Sequence, residues 1–499
     1  MNNTDSNSNN RRNNWTGGAV AAGVVAALVG GATYYFTRDS KPKPQPAASQ
    51  TQTRAPSTQG TTESTSVSSY LTNMINRMST VSGSNNQMAA SRGQSNNIPN
   101  NPIITNLNSL LDDIAVRYIR LRESDFELHY RVFDKIFQDL HGKMKIVDPY
   151  YRKYSSTVQF AGSHFDNLRI IKPDEFDMDI VIGLPLDINE NPHNPNGSDI
   201  VIEPKHAGFV QLKMGIQFQR LPMRDKEEWL VNRTAYGWKD DSNYLLRSKF
   251  LDWFKSVVNR ALNLCDVSAD SKPLYYVDGV PYTIDKSQFG PAMTLYIRNR
   301  SRNFQMDVDL VPALKLPESR WPIGRAYREI PLDCRKGYWM VVGKPNKASP
   351  FQHDQMRSWR LALHNQEREL MHNSYNLRQA IRLMKKLRDS QGMTKVASYY
   401  VKTLFFWEIV ETNDKSFWMK NSPATLFKLM VGKLHAALVA GRIPYFWNRS
   451  NNLIGTVDRR VLDEYAAKLV PLMAVLERPG DYKLVAKYLL TKQEFVDYN

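Results

Sequence analysis

Apolar residues fall at helical intervals from about residue 105: Leu107, Leu110, Leu111, Ile114, Tyr118 and Leu121, then Val132, Phe133, Ile136, Phe137 and Leu140. Spacings of three and four put such residues on one helix face. The pattern predicts a long helix, broken near Glu123 and stopped at Gly142. Alternation then replaces it. In Glu175-Phe176-Asp177-Met178-Asp179-Ile180-Val181-Ile182 acids and apolar residues take turns, which predicts a strand with Glu175, Asp177 and Asp179 on one side and Phe176, Met178 and Ile180 toward the core. Val201–Pro204, Phe209–Met214, Met293–Arg298 and Phe304–Pro312 read as further strands, and Phe250–Leu264 as a helix. After Pro350 the spacing is helical throughout, over Ser358–His372, Ser374–Arg388, Val396–Glu411, Ala424–Ala440 and Val461–Leu476. The fold class expected is α+β, with a mixed α/β lobe at 105–349, carrying the long helix, and a helical lobe at 350–499.

The first hundred residues follow neither period. Residues 1–14 are polar. From Trp15 to Phe36 there is no charge, and a helix of that length covers about 33 Å, enough for a hydrocarbon core. Trp15 at one end and Tyr34, Tyr35 and Phe36 at the other suit the two interfaces. Residues 15–36 are expected to be a transmembrane anchor. Residues 37–104, rich in Ser, Thr, Gln, Asn and Pro, are expected to be a disordered linker. Arg38, Lys41 and Lys43 outnumber Arg11 and Arg12 across the span, which places the C-terminal side in the cytosol. A weakly hydrophobic anchor of this kind suits the mitochondrial outer membrane or the endoplasmic reticulum.

Charge adds a partner class. The net charge is +17; residues 1–100 hold eight Lys/Arg and three Asp/Glu, so about +12 remains on the folded part, which favours polyanions. Cys265 and Cys334 form no CxxC or Cys/His cluster, so neither zinc nor a disulfide framework is expected.

The chemistry concentrates around the acidic strand. Ala161-Gly162-Ser163-His164-Phe165-Asp166 precedes it, a small turn able to offer backbone N–H groups and a hydroxyl to phosphate. Phe304–Pro312 carries acids again, at Asp307 and Asp309. Glu175, Asp177 and Asp309 are a candidate triad for two divalent ions, because carboxylates on adjacent strands can hold hard cations beside a phosphate. Alternating acids on one strand are common on solvated faces. The Gly-Ser turn and the second acidic strand are what raise this pair above that background.

The stretch Gly162–Ile170 with Pro173-Asp174-Glu175-Phe176-Asp177 resembles the Mab-21 nucleotidyltransferase family, in the branch of cyclic GMP-AMP synthase and the cyclic GMP-AMP synthase-like receptors. Val308–Ala313 is similar to that family's third-carboxylate strand, and Trp359-Arg360-Leu361, Glu367, Leu383-Met384-Lys385 and Ser398–Thr403 match in order, so the resemblance covers roughly 105–490. It implies a bilobed nucleotidyltransferase in which Glu175, Asp177 and Asp309 hold two Mg²⁺ or Mn²⁺ ions. It implies that Gly162 and Ser163 cradle a triphosphate, Arg360 meets a base or acceptor nucleotide, Glu367, Lys385 and Ser398 contact the nucleotide, and Tyr399 stacks on a base. The product implied is a cyclic dinucleotide of the cyclic GMP-AMP type, made in innate immune signalling. The zinc-binding insertion of cyclic GMP-AMP synthase is missing: His372–Leu377 joins the two helices without a cysteine. No zinc is therefore expected, and double-stranded RNA is a better candidate ligand than DNA. Expected partners are ATP and GTP, double-stranded RNA, the lipid bilayer through residues 15–36, and a second copy of the chain in a homo-oligomer. The alternative is a catalytically silent, nucleotide-binding adaptor anchored to mitochondria that recruits a protein partner.

Overall fold

The computed structural model describes residues 104–499 apart from 163–165, 167, 171–172, 187, 189–198, 225, 323–326 and 372–373. The anchor at 15–36, nearly all of the linker and Ser163 lie outside the described residues.

The expected long helix is two helices, α1 (Leu107–Tyr118) and α2 (Glu123–Val147). Asn106 caps α1, its side chain accepting from Ser109 N while Ser109 Oγ accepts from Asn106 N. Gly142 does not stop α2. The glycine sits on the exposed side and the apolar stripe continues to fully buried Met144, so packing holds the last turn.

Among the described residues ten strands build one large sheet: β1 (Ser155–Ala161), β2 (Glu175–Ile182), β3 (Ile200–His206), β4 (Phe209–Met214), β5 (Pro273–Val277), β6 (Val280–Phe289), β7 (Ala292–Asn299), β8 (Phe304–Pro317), β9 (Tyr338–Val342) and β10 (Ser358–Ala362), with a two-residue strand at Asp266–Val267 on its edge. The long strand β8 is its axis. It pairs antiparallel with β7 over 304–310 and with β9 over 313–317, and parallel with β2 over 307–314. A helix α3 (Arg247–Leu262) packs against α2. Phe176, Met178 and Ile180 face inward as expected, and the Phe133 ring of α2 stacks on Phe176 at 4.7 Å. Burying one such side chain contributes about 1.5–3 kcal/mol.

The segment expected as one helix over Ser358–His372 is β10 followed by a short helix, α4 (His364–Leu370). Trp359, Leu361 and Leu363 repeat every second residue and all are fully buried, so the strand period was present but short. The sheet thus draws its last strand from beyond residue 350. Helices α5 (Tyr375–Ser390), α6 (Ser398–Thr412), α7 (Pro423–Ala440) and α8 (Arg459–Leu476) complete the helical lobe. Among the described residues α7 alone is long and apolar enough to cross a membrane by length and composition. Here it is a core helix, packed on α1, α5, α6 and α8.

Candidate active site

Strand register alone assembles the acids. In the parallel β2/β8 pair Asp177 is the partner of Asp309 and Glu175 that of Asp307. One ligand atom from each of Glu175, Asp177 and Asp309 lies within 4.8 Å of the others. Antiparallel pairing places Thr294 of β7 across from Asp309, and its hydroxyl donates to Asp309 Oδ1. Pairing of β1 puts Ala161 beside Asp177, so the chain leaves β1 directly over that carboxylate. Gly162 follows with φ +87°, and a Cβ built there would lie 1.5 Å from Asp177 Oδ2. Only glycine fits so close an approach in that conformation.

Among the described residues negative charge outweighs positive at the site. Burial, then the negative charges of Glu175 and Asp309, push the Asp177 carboxyl well above the usual carboxylate range. Burial pushes Asp309 up to about 7 against the donated Thr294 hydrogen bond, and Asp307 up to about 6 with help from Glu175. Asp177 Oδ1 is buried and has no hydrogen-bond partner among the described residues. Crowded, buried carboxylates of this kind favour a cation between them. A divalent ion with oxygen ligands fits them, since it supplies the missing charge and a partner for the orphaned oxygen. Arg169 meets part of the need. Its Nη1 contacts Glu175 Oε2, and its Nη2 donates to Asp174 Oδ1 at 2.6 Å.

Asp179, the third acid of the expected face, is not at the cluster. It is buried, and its Oδ2 touches His364 Nε2 of α4 without hydrogen-bond alignment. The face read from the sequence as one row of three acids is thus divided between a metal-type cluster and a seam with the helical lobe.

Family models described as Mab-21 protein nucleotidyltransferase domain and Mab-21 protein HhH/H2TH-like domain match residues 164–373 and 376–470. A cyclic GMP-AMP synthase-like receptor of Ctenocephalides felis is 31% identical over 404 residues, covering 79% of this chain and 89% of the relative. The chain belongs to the Mab-21 nucleotidyltransferase family. A cyclic GMP-AMP synthase-like receptor of Tribolium castaneum is 30% identical over 399 residues, 79% of this chain and 94% of its own. Cyclic GMP-AMP synthase-like receptor 1 of Drosophila melanogaster is 25% identical over 362 residues, 69% of this chain and 85% of its own. Within the Mab-21 family the chain therefore groups with these receptors.

The remaining sequence-selected residues of this Mab-21 chain lie in and around the helical lobe. Lys385 of α5 is buried and donates to Leu168 O at 2.6 Å; burial, then the nearby Arg169 and Arg388 charges, lower its ammonium to about 7. Glu367 is fully buried, accepting from Tyr399 Oη at 2.9 Å and Trp447 Nε1 at 3.0 Å, with Lys402 Nζ at 3.3 Å. The Tyr399 ring is buried beside Lys402 and Tyr445, so in this state both groups serve the lobe's interior. Ser398 Oγ accepts from Arg388 Nη1 at 2.8 Å. Arg360 of β10 is half-buried; burial raises the phenol pKa of Tyr399, Tyr400 and Tyr445, and the Arg360 charge offsets part of that rise. Gly162 is thus joined to the triad, while Glu367 and Tyr399 are joined to each other. Sequence reasoning passed over Thr294 and Arg169. Thr294 is identifiable only from its pairing across β7 and β8. Arg169 carries a weak signal, lying six residues before Glu175 in the motif itself.

Proposed function

We propose that this Mab-21 chain is a cyclic dinucleotide synthase of innate immune signalling, joining ATP and GTP into a product of the cyclic GMP-AMP type after sensing double-stranded RNA, each ribose hydroxyl attacking an α-phosphate as pyrophosphate leaves. The observation that carries the reading is the triad formed by register between β2 and β8, with Gly162 packed on Asp177. Glu175, Asp177 and Asp309 would hold Mg²⁺ or Mn²⁺, which as a pair neutralise triphosphate charge and favour the ribose oxygen as nucleophile. The residues of the chain do the placing. Gly162 brings the backbone against Asp177, where with Ser163, next to it in sequence, it would cradle the triphosphate, and Lys385 offers a point charge for phosphate. Arg360 and Tyr399 are the proposed base contacts, Glu367 and Ser398 the remaining nucleotide contacts. For Tyr399, Glu367 and Lys385 this requires opening of the interior contacts described above.

The names of the relatives support the product class, and the positive charge of the folded part supports a polyanionic activator read through phosphates and shape. Residues 15–36 are proposed as the membrane anchor, with the catalytic part in the cytosol at the mitochondrial outer membrane or endoplasmic reticulum. The silent-adaptor reading is weaker, because an adaptor has no use for three converging carboxylates.

Full-length protein incubated with radiolabelled ATP and GTP, Mn²⁺ and duplex RNA should give a phosphatase-resistant product. Absence of product across duplex and single-stranded RNA and DNA would overturn the synthase.

A further inference from the structure

The stretch between β1 and β2 touches both β2 metal-type ligands, one at each end. Gly162 lies against Asp177, and Arg169 contacts Glu175. Between them sits Asp166, almost completely buried, and it is gripped from the helical lobe. Arg368 Nη2 of α4 donates to its Oδ1 at 3.1 Å and Lys402 Nζ of α6 to its Oδ2 at 3.1 Å. Arg378 Nε of α5 donates to its backbone oxygen at 3.2 Å, and Lys385 Nζ of the same helix takes Leu168 O two residues on. Cations from three helices thus converge on Asp166 and Leu168 of one strand connection. Lys402 also reaches Glu367, so Arg368, Asp166, Lys402 and Glu367 alternate in sign through the buried seam.

We propose that Asp166 is a positioning residue for the triad: the helical lobe, through Arg368 and Lys402, fixes the middle of this connection and thereby sets Gly162 on Asp177 and Arg169 on Glu175. A buried carboxylate between two buried cations has a defined place, because leaving either partner exposes an uncompensated charge to the interior. Movement of α4 against α6 is therefore passed to the metal ligands through one side chain. The inference rests on the nucleotidyltransferase reading for its catalytic consequence, and on geometry alone for its effect on cation binding.

Asp166→Asn keeps the shape and removes the charge. Asp166→Asn combined with Arg368→Met also removes one stranded cation and leaves Lys402 balanced by Glu367. Three quantities are measured on the full chain: melting temperature, Mn²⁺ affinity by calorimetric titration, and kcat and KM for ATP and GTP. The single variant should melt lower than wild type and the double variant should recover much of that loss. In both, kcat should fall about 100-fold, the scale of an ångström-level misplacement, with KM changed by less than about 3-fold and Mn²⁺ bound about 10-fold more weakly. Activity and Mn²⁺ affinity that return together with the melting temperature would make Asp166 a stability residue only and overturn the proposal. If wild type itself forms no product, the synthase reading fails and the titration alone decides: Mn²⁺ affinity equal in wild type and Asp166→Asn overturns the positioning role. Should the double variant not fold, the same comparison on the single variant decides.

Discussion

Replacing Asp309 with Asn should make the metal-free protein more stable and inactive at once. In the folded chain burial and neighbouring acids raise the Asp309 carboxyl from 3.8 to about 7. The folded state therefore keeps a proton that the unfolded state has lost over that interval. The group's stabilising contribution is complete below about pH 4 and disappears as pH rises through 7, at 1.36 kcal/mol per pH unit, or at most about 4 kcal/mol. Asn carries no charge to lose and its side-chain oxygen can still accept from Thr294. At pH 8 in chelator the Asp309→Asn variant should melt up to about 5 °C above wild type, and at pH 4 the two should coincide. Mn²⁺ reverses the ranking. An ion at 100 times its Kd adds about 2.7 kcal/mol to wild type, and the variant, short of one ligand, should gain little. Differential scanning calorimetry at pH 4, 6 and 8, with and without Mn²⁺, gives both numbers. A variant no more stable than wild type at pH 8 without metal, yet equally stabilised by Mn²⁺, would refute the assignment of Asp309 to a cation site.

Gly162→Ala should cost about 1–3 kcal/mol through its positive φ and displace Asp177, so product formation should fall at least 100-fold while urea unfolding shifts only modestly. Phe176→Ala removes the ring stacked on Phe133 and should lower stability by about 3–5 kcal/mol in the same unfolding assay. Lys385 is held near 7 by burial, below its unfolded 10.5, so the unfolded state binds more protons between those values and stability should climb from pH 7 to 10. Lys385→Met should flatten that climb; an unchanged profile would show that the ammonium is not desolvated.

The sequence carried the triad because its spacing is local in kind: acids at alternate positions of two strands need only the correct register to meet, and β2 and β8 supply it. It carried the helices of the second lobe because their apolar stripes are long. It failed where signals were short or cooperative. Trp359-x-Leu361 is too brief a period to stand against the helix that follows it. Gly142 looked like a stop because its role depends on Met144 being packed, which no local pattern states. Resemblance makes Glu367 and Tyr399 ligand contacts, and their mutual hydrogen bond emerges only when α4 and α6 are brought together. Asp179 was grouped with Glu175 and Asp177 by alternation; its separation comes from His364, far along the chain.

Helix α4 has a consequence for dissecting the protein. Its sequence, His-Asn-Gln-Glu-Arg-Glu-Leu, would suit a solvated surface, yet its first five residues are all buried. Asn365 donates to Gln159 of β1 and to Tyr338 of β9, Glu367 is held from α6 and by Trp447, and Arg368 holds Asp166. The two family models meet between residues 373 and 376, but a fragment ended there would keep this helix and lose Tyr399, Lys402 and Trp447 from around it. Expressed alone, the first module should be insoluble or partly unfolded, while the pair should unfold as one cooperative unit. In this protein the boundary between sequence modules runs through the middle of a single interior.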